Sequence, residues 1–205
     1  VQRRRRRAGG CGIRADAVGE GGGEEGGVSR GGEGRAGAGR AESPRAGRAG
    51  AADRGPFGWL GGRAVLPDCT GAEAPERFDA LLLIGGEAWL DGSNDDVLPL
   101  VQRALDQGAL VGGICNAATF LAEHGFLDDR ARTGNTVEFM RQGAPHYQGA
   151  QHFVEAQAVA EGGIITANGS GTLEFAREVL RLLDAKPEEA VESWYRFNKD
   201  GLYSA

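Results

Sequence analysis

The sequence predicts an α/β domain, a three-layer sandwich with a mostly parallel sheet. Two observations carry this. Residues 79–84 (DALLLI) and 109–114 (ALVGGI) are short, continuous apolar runs, the pattern of strands buried on both faces. The segments between and after them place apolar residues at helical spacing, and strands alternating with helices build a parallel sheet covered on both sides.

The elements follow in chain order. Residues 63–67 are a short apolar strand candidate and 75–77 a linker. The run 79–84 is closed by Gly85-Gly86. Residues 95–107 carry Val97, Leu98, Val101 and Leu105 on one helical face, and Gly108 stops the helix. Strand 109–114 is followed at once by a helix over 117–124, with Gly125 as its stop. Residues 136–142 read as a helical turn. Residues 153–156 and 163–167 are strand candidates, the second (GIITA) the stronger. Residues 172–183 are amphipathic through Leu173, Phe175, Ala176, Val179, Leu180 and Leu183. Pro187 opens a last helix to about residue 197, at the position proline favours.

Composition divides the chain in two. Residues 1–55 hold the run Arg3-Arg4-Arg5-Arg6-Arg7, much of the glycine and no lysine. Such a segment has too little apolar surface to offset chain entropy, so it is expected to be disordered. An arginine–glycine RNA-binding tail is a weaker reading, because aromatics to stack on bases are missing and acids dilute the charge. A further reading is a frameshift or misassigned start, since Gly, Arg and Ala are what GC-rich DNA yields in almost any frame. On that reading residues 56–205 form a domain whose N-terminal strands are missing. The net charge of -6 argues against nucleic acid as the main partner. No stretch is long and apolar enough for a membrane span, and no apolar core of a signal peptide follows the basic residues. The three cysteines Cys11, Cys69 and Cys115 form neither a disulfide framework nor a metal pattern, so a reducing cytoplasm is expected.

The stretch Val111-Gly112-Gly113-Ile114-Cys115-Asn116-Ala117-Ala118 is the most informative. A buried strand ends, one residue occupies a sharp bend, and a helix begins: a nucleophile elbow in outline. The bend lifts a side chain clear of the backbone, and the N–H groups of the helix point toward it. They can stabilise a thiolate or an oxyanion. The bland alternative is a small buried hydrophobe, the commonest fate of a free cysteine. Gly85-Gly86-Glu87 ends the preceding strand at the same crevice, where open α/β sheets bind ligands. The amides of Gly86 and Asn116 are candidate oxyanion donors.

The order LLLIGG, amphipathic helix, a strand ending GIC-Asn-Ala, TGNT, then ITANGSGTLEFA resembles the DJ-1/PfpI (ThiJ/PfpI) superfamily. This superfamily has the flavodoxin-like, class I glutamine amidotransferase-like fold. The nearest likeness is to bacterial type 1 glutamine amidotransferase-like proteins, over roughly Gly62 to the C-terminus. The resemblance implies a Cys115 nucleophile, an oxyanion site at Gly86 and Asn116, and a homodimer. Three departures limit it. Many members have a histidine after the nucleophile, where this chain has Asn116. Others carry a histidine on the following strand, where Asn135 or Thr133 stands here. The family glutamate after the first strand would fall within residues 1–55, where nothing resembles that strand.

Partners for Cys115 are therefore sought elsewhere. His146, in the Pro145-His146-Tyr147 loop, is the best histidine candidate for a catalytic role. His124 reads as a helix-end cap and His152 as a surface residue. Glu87 could approach the crevice and Trp89 could wall it, against readings as a surface acid and a core aromatic. Glu174 lies in the first turn of its helix, which the helix dipole explains; the resemblance adds a structural hydrogen-bond role. Cys69 reads as a bystander, and Trp194, Tyr195 and Phe197 as packing or a dimer contact. No histidine pairs with an acid at ligand spacing, so no metal is expected, and no cofactor is implied.

The expected function is cysteine-dependent chemistry on a small amide or carbonyl compound, in a hydrolase, glutamine amidotransferase-like or carbonyl-processing enzyme. The alternatives are a redox- or stress-responsive protein that works by cysteine oxidation, and an inactive truncated remnant.

Overall fold

The computed structural model describes residues 9–14, 46–51, 57–58 and 64–201. Its centre is a seven-stranded sheet. The strands are β1 (Gly9–Arg14), β2 (Ala46–Ala51), β5 (Cys69–Thr70), β6 (Ala80–Ile84), β7 (Leu110–Ile114), β8 (Ala158–Glu161) and β9 (Ile164–Ala167). Their spatial order is β5-β2-β1-β6-β7-β9-β8. Every pair is parallel except β8 with β9. A separate antiparallel pair joins β3 (Phe57–Gly58) to β4 (Ala64–Val65).

The apolar runs fill the centre of the sheet, as their burial on both faces requires. Leu81, Leu83 and Val111 pack with Leu121 on one face; Ala80, Leu110 and Ile165 pack with Phe175 and Val179 on the other. Leu81, Leu83 and Leu121 are fully buried, each contributing roughly 1.5–3 kcal/mol over an exposed side chain. The first face is covered by α1 (Leu98–Asp106) and α2 (Asn116–Glu123), the second by α4 (Thr172–Leu182). Helix α3 (Val137–Gly143) contacts α2, and α5 (Glu188–Asp200) packs on α4.

Two glycines in β7 set how closely the layers approach. A Cβ on Gly113 would lie 2.7 Å from Leu121 Cδ1 and 3.1 Å from Ala117 O, so α2 rests almost on the strand backbone. A Cβ on Gly112 would lie 2.6 Å from Phe175 Cζ on the opposite face. The bare backbone of β7 thus lets a helix close down on each side.

Two expectations need correction. Residues 1–55 contain two strands, where none was read. β1 pairs with β6 from Gly10↔Ala80 to Arg14↔Ile84, and β2 pairs with β1. Main-chain hydrogen bonds build these pairs, and no run of large apolar side chains announces them. The family glutamate was sought within residues 1–55, of which 1–8, 15–45 and 52–55 lie outside the described residues. Residues 153–156 are not a strand: Phe153 makes one isolated bridge to Arg132. The strand is β8, and Gly162-Gly163 is the turn of a β8–β9 hairpin, with φ of 59° and 81°. Positive φ at both turn residues suits a tight antiparallel hairpin, which glycine adopts without strain.

Candidate functional site

Cys115 lies between the last residue of β7 and the first of α2, at φ 60° and ψ -127°. A residue with a Cβ is held at positive φ only at a cost of about 1–3 kcal/mol, met by the surrounding structure. Its N–H donates to Ala167 O at 2.9 Å, and its carbonyl accepts from Ala118 N at 3.0 Å. Both main-chain groups are therefore fixed, one by β9 and one by α2. The amides of Asn116 and Ala117, as the first two residues of α2, have no acceptor within the helix.

Glycines approach the cysteine from two sides. A Cβ at Gly85 would lie 2.9 Å from Cys115 Cβ and 3.1 Å from Ile114 O. A Cβ at Gly169 would lie 3.3 Å from Cys115 Sγ. Gly169 belongs to the β9–α4 turn, which Asn168 holds by accepting from Ser170 N at 3.0 Å and Ser170 Oγ at 2.8 Å.

Two amide side chains meet the sulfur. Asn135 Nδ2 donates to Sγ at 3.5 Å, while its Oδ1 accepts from Gly169 N at 2.9 Å. The thiol donates to Asn116 Oδ1 at 3.8 Å. Of the two residues considered for the family histidine position, Asn135 meets Cys115. Thr133 is a structural link, its N–H donating to Thr166 Oγ1 and its hydroxyl to Ala156 O.

Gly86 is buried and extended, at φ 174°, and precedes the short turn Glu87–Trp89. Glu87 is exposed at the rim of that turn. Trp89 is a core residue: its Nε1 donates to Ile84 O at 2.7 Å and its ring meets Phe120 at 4.8 Å. It braces the glycine turn from below.

The catalytic expectation for His146 is corrected. Its side chain is 81% exposed, and its Nδ1 bonds Glu123 Oε1. Glu123 ends α2, seven residues and about 10 Å of helix from the Cys115 end. Burial pushes the Glu123 carboxyl up, but hydrogen bonds from His146 outweigh it and hold the group below its usual range. His146 thus caps the far end of the helix whose start carries the cysteine. His124 caps the same end and pairs with Asp95 at 3.3 Å. His152 is exposed.

Glu174 is buried in the first turn of α4, accepting from Tyr195 Oη at 2.7 Å and Lys199 Nζ at 2.8 Å. It ties α5 to α4 and does not meet the sulfur. Among the described residues, no group of three His, Cys, Asp or Glu side chains could hold a metal.

Sequence reasoning missed Gly169 as a wall of the site, although the NGSG turn was the available signal. It also missed Arg132, fully buried, whose Nε donates to Tyr147 Oη at 2.7 Å. Arginine in a polar stretch gives no signal of burial.

A cysteine held at positive φ between a parallel strand and a helix, with glycine turns beside it, defines an α/β protein with a cysteine-centred site. Comparison with known proteins gives the family. The DJ-1/PfpI family pattern matches residues 50–182, and the chain belongs to that family. It is 35% identical over 141 residues to a Bacillus subtilis protein named uncharacterized protease YoaZ, covering 68% of this chain and 67% of the relative. It is 27% identical over 132 residues to the glutathione-independent glyoxalase DJR-1.2 of Caenorhabditis elegans, covering 62% of this chain and 67% of that protein. Among solved structures, a ThiJ/PfpI family protein from Bacillus anthracis superposes with a TM-score of 0.73 at 32% identity, covering 78% of this chain and 76% of the other. A DJ-1 superfamily protein from Agrobacterium tumefaciens gives 0.69 at 34% identity, with 76% and 83% covered.

Proposed function

We propose that Cys115 is the nucleophile of a cysteine-dependent enzyme acting on a small carbonyl compound, with a small amide as the less favoured substrate. The observation that carries this is the positive-φ conformation of Cys115 at the start of α2. It reads as a nucleophile elbow, where strain is spent on presenting a side chain. The thiolate sulfur adds to the carbonyl carbon, the π pair moves to oxygen, and the amides of Gly86 and Asn116 donate to that oxyanion. Glu87 is a proposed contact for the substrate at the rim.

Amide hydrolysis also needs an acid to protonate the departing amine. The described side chains that bond Sγ, Asn116 and Asn135, are neutral amides. Addition to an aldehyde or ketone expels no amine, so this site suits a reactive carbonyl better. The relative named as a glyoxalase supports the carbonyl branch, and the one named as a protease supports the amide branch. A homodimer and a cytoplasmic location complete the proposal. No helix among the described residues is long and apolar enough to cross a membrane.

The test is turnover of methylglyoxal and of glutamine by the purified chain and by Cys115→Ser. Methylglyoxal loss that the variant abolishes is the expected result. Turnover that survives Cys115→Ser overturns the assignment. Peroxide oxidation of Cys115 without turnover of either compound replaces it by the redox-responsive reading.

A further inference from the structure

The side chain of Asn135 has two distinguishable ends, and the structure leaves no choice about which faces the sulfur. The Gly169 main chain offers an N–H, which can only donate, 2.9 Å from Oδ1. The oxygen of the amide must therefore face Gly169. The NH₂ group is then turned to Cys115 Sγ, 3.5 Å away. Gly169 is itself held, because its turn is pinned by Asn168 and by the Asn168 N to Gln157 O bond of 3.1 Å. Reversing the amide would set Nδ2 against the Gly169 N–H, donor against donor, and lose the 2.9 Å bond that fixes the side chain. An amide nitrogen has no lone pair available to take a proton.

We infer that Asn135 is a catalytic residue of this site, a flip-locked hydrogen-bond donor that stabilises the Cys115 thiolate and cannot serve as its base. The inference rests on the reading of Cys115 as the nucleophile. The thiol proton leaves to water before attack, and the Asn135 N–H stays in place throughout. A donor to the charged form favours ionisation, whereas an anion beside it opposes ionisation. Among the described residues Asn116 has no such lock: its side-chain oxygen accepts a hydrogen bond from the thiol.

The experiment is alkylation of Cys115 by iodoacetamide across pH 5–10, followed by mass spectrometry of the Cys115 peptide in the full chain. In this reaction the S–C bond forms, the C–I bond breaks and iodide leaves. The comparison is with Asn135→Asp, whose carboxylate keeps an acceptor for Gly169 N–H but turns an oxygen to the sulfur. The expected result is a profile displaced upward by about one pH unit, so alkylation on its rising limb falls about tenfold. The plateau rate at high pH stays within about twofold, a split that loss of packing would not produce. Asn135→Leu, which removes the donor without adding a charge, is run beside it and should displace the profile in the same direction; a displacement in the Asp variant alone is carboxylate repulsion and overturns the donor role. A midpoint that does not move in the folded variant overturns the role of Asn135 while Cys115 remains a nucleophile. If the unaltered chain alkylates at pH 7 no faster than free glutathione, the nucleophile reading itself falls, and this inference with it.

Discussion

The two halves of the sheet share one backbone pattern and differ in the residues that write it. β6, β7 and β9 are written ALLLI, LVGGI and IITA, and their residues fill two apolar layers. β1 and β2 are written GGCGIR and AGRAGA, yet they continue the same parallel ladder. The difference teaches that register and stability have separate sources. Main-chain hydrogen bonds extend a sheet through strands that hold few large apolar residues, but burial supplies most of the free energy. Cys115 directly follows β7, in the half whose apolar strands are covered by α1, α2 and α4.

Three experiments press on that comparison. The largest effect is expected from Leu83→Ala in the covered half, a loss of about 2–5 kcal/mol in urea unfolding. Its counterpart Ala51→Gly, at a buried position of β2, should cost only about 0.5–1 kcal/mol. Equal losses would break the distinction between the halves. Next comes Tyr147→Phe. It strips the acceptor from Nε of Arg132, a buried guanidinium whose Nη atoms have no hydrogen-bond partner among the described residues. A loss of about 1.5–3 kcal/mol is expected, and a loss under about 0.5 kcal/mol would show that the covered half tolerates a stranded cation.

The smallest effect is expected from Glu174→Gln, read as melting temperature against pH. Burial pushes the Glu174 carboxyl up, but the bonds from Lys199 and Tyr195 prevail and hold it below its ordinary value. Its contribution is therefore present above the ordinary carboxylate range and lost as pH falls through the lowered folded value. The variant should melt below the unaltered chain at pH 7 and match it in strong acid. A gap that is the same at both ends would remove the ionic tie between α4 and α5 from the account.

What could be read in advance follows the same division. The runs 79–84 and 109–114 declare themselves by apolar content, and the junction at Cys115 follows from the helix that starts directly after the second. β1 and β2 carry no such content, so only their neighbours in space reveal them. Asn135 was visible as an occupant of the family histidine position. Its orientation was not, because that depends on Gly169, 34 residues later. His146 was misplaced because a loop histidine is legible in sequence while its partner Glu123, on the far end of a helix, is not. The proposal that residues 1–55 arise from a shifted reading frame is checked on the DNA. It fails if neither other frame encodes an apolar strand followed by an acid.

The Gly162-Gly163 turn has a consequence for how the chain reaches this state. In the seven-stranded sheet it joins two adjacent strands, β8 and β9, directly, pairing Glu161 with Ile164. The parallel neighbours β6–β7 and β7–β9 close only after a longer crossover has been ordered. Loop-closure entropy rises with the length of chain enclosed, so the hairpin is the pairing with the lowest entropic barrier. It can assemble early and then serve as a template for β7, whose docking fixes Cys115 N–H on Ala167 O. The positive-φ conformation of Cys115 would then be among the later features of the refolding chain to be set.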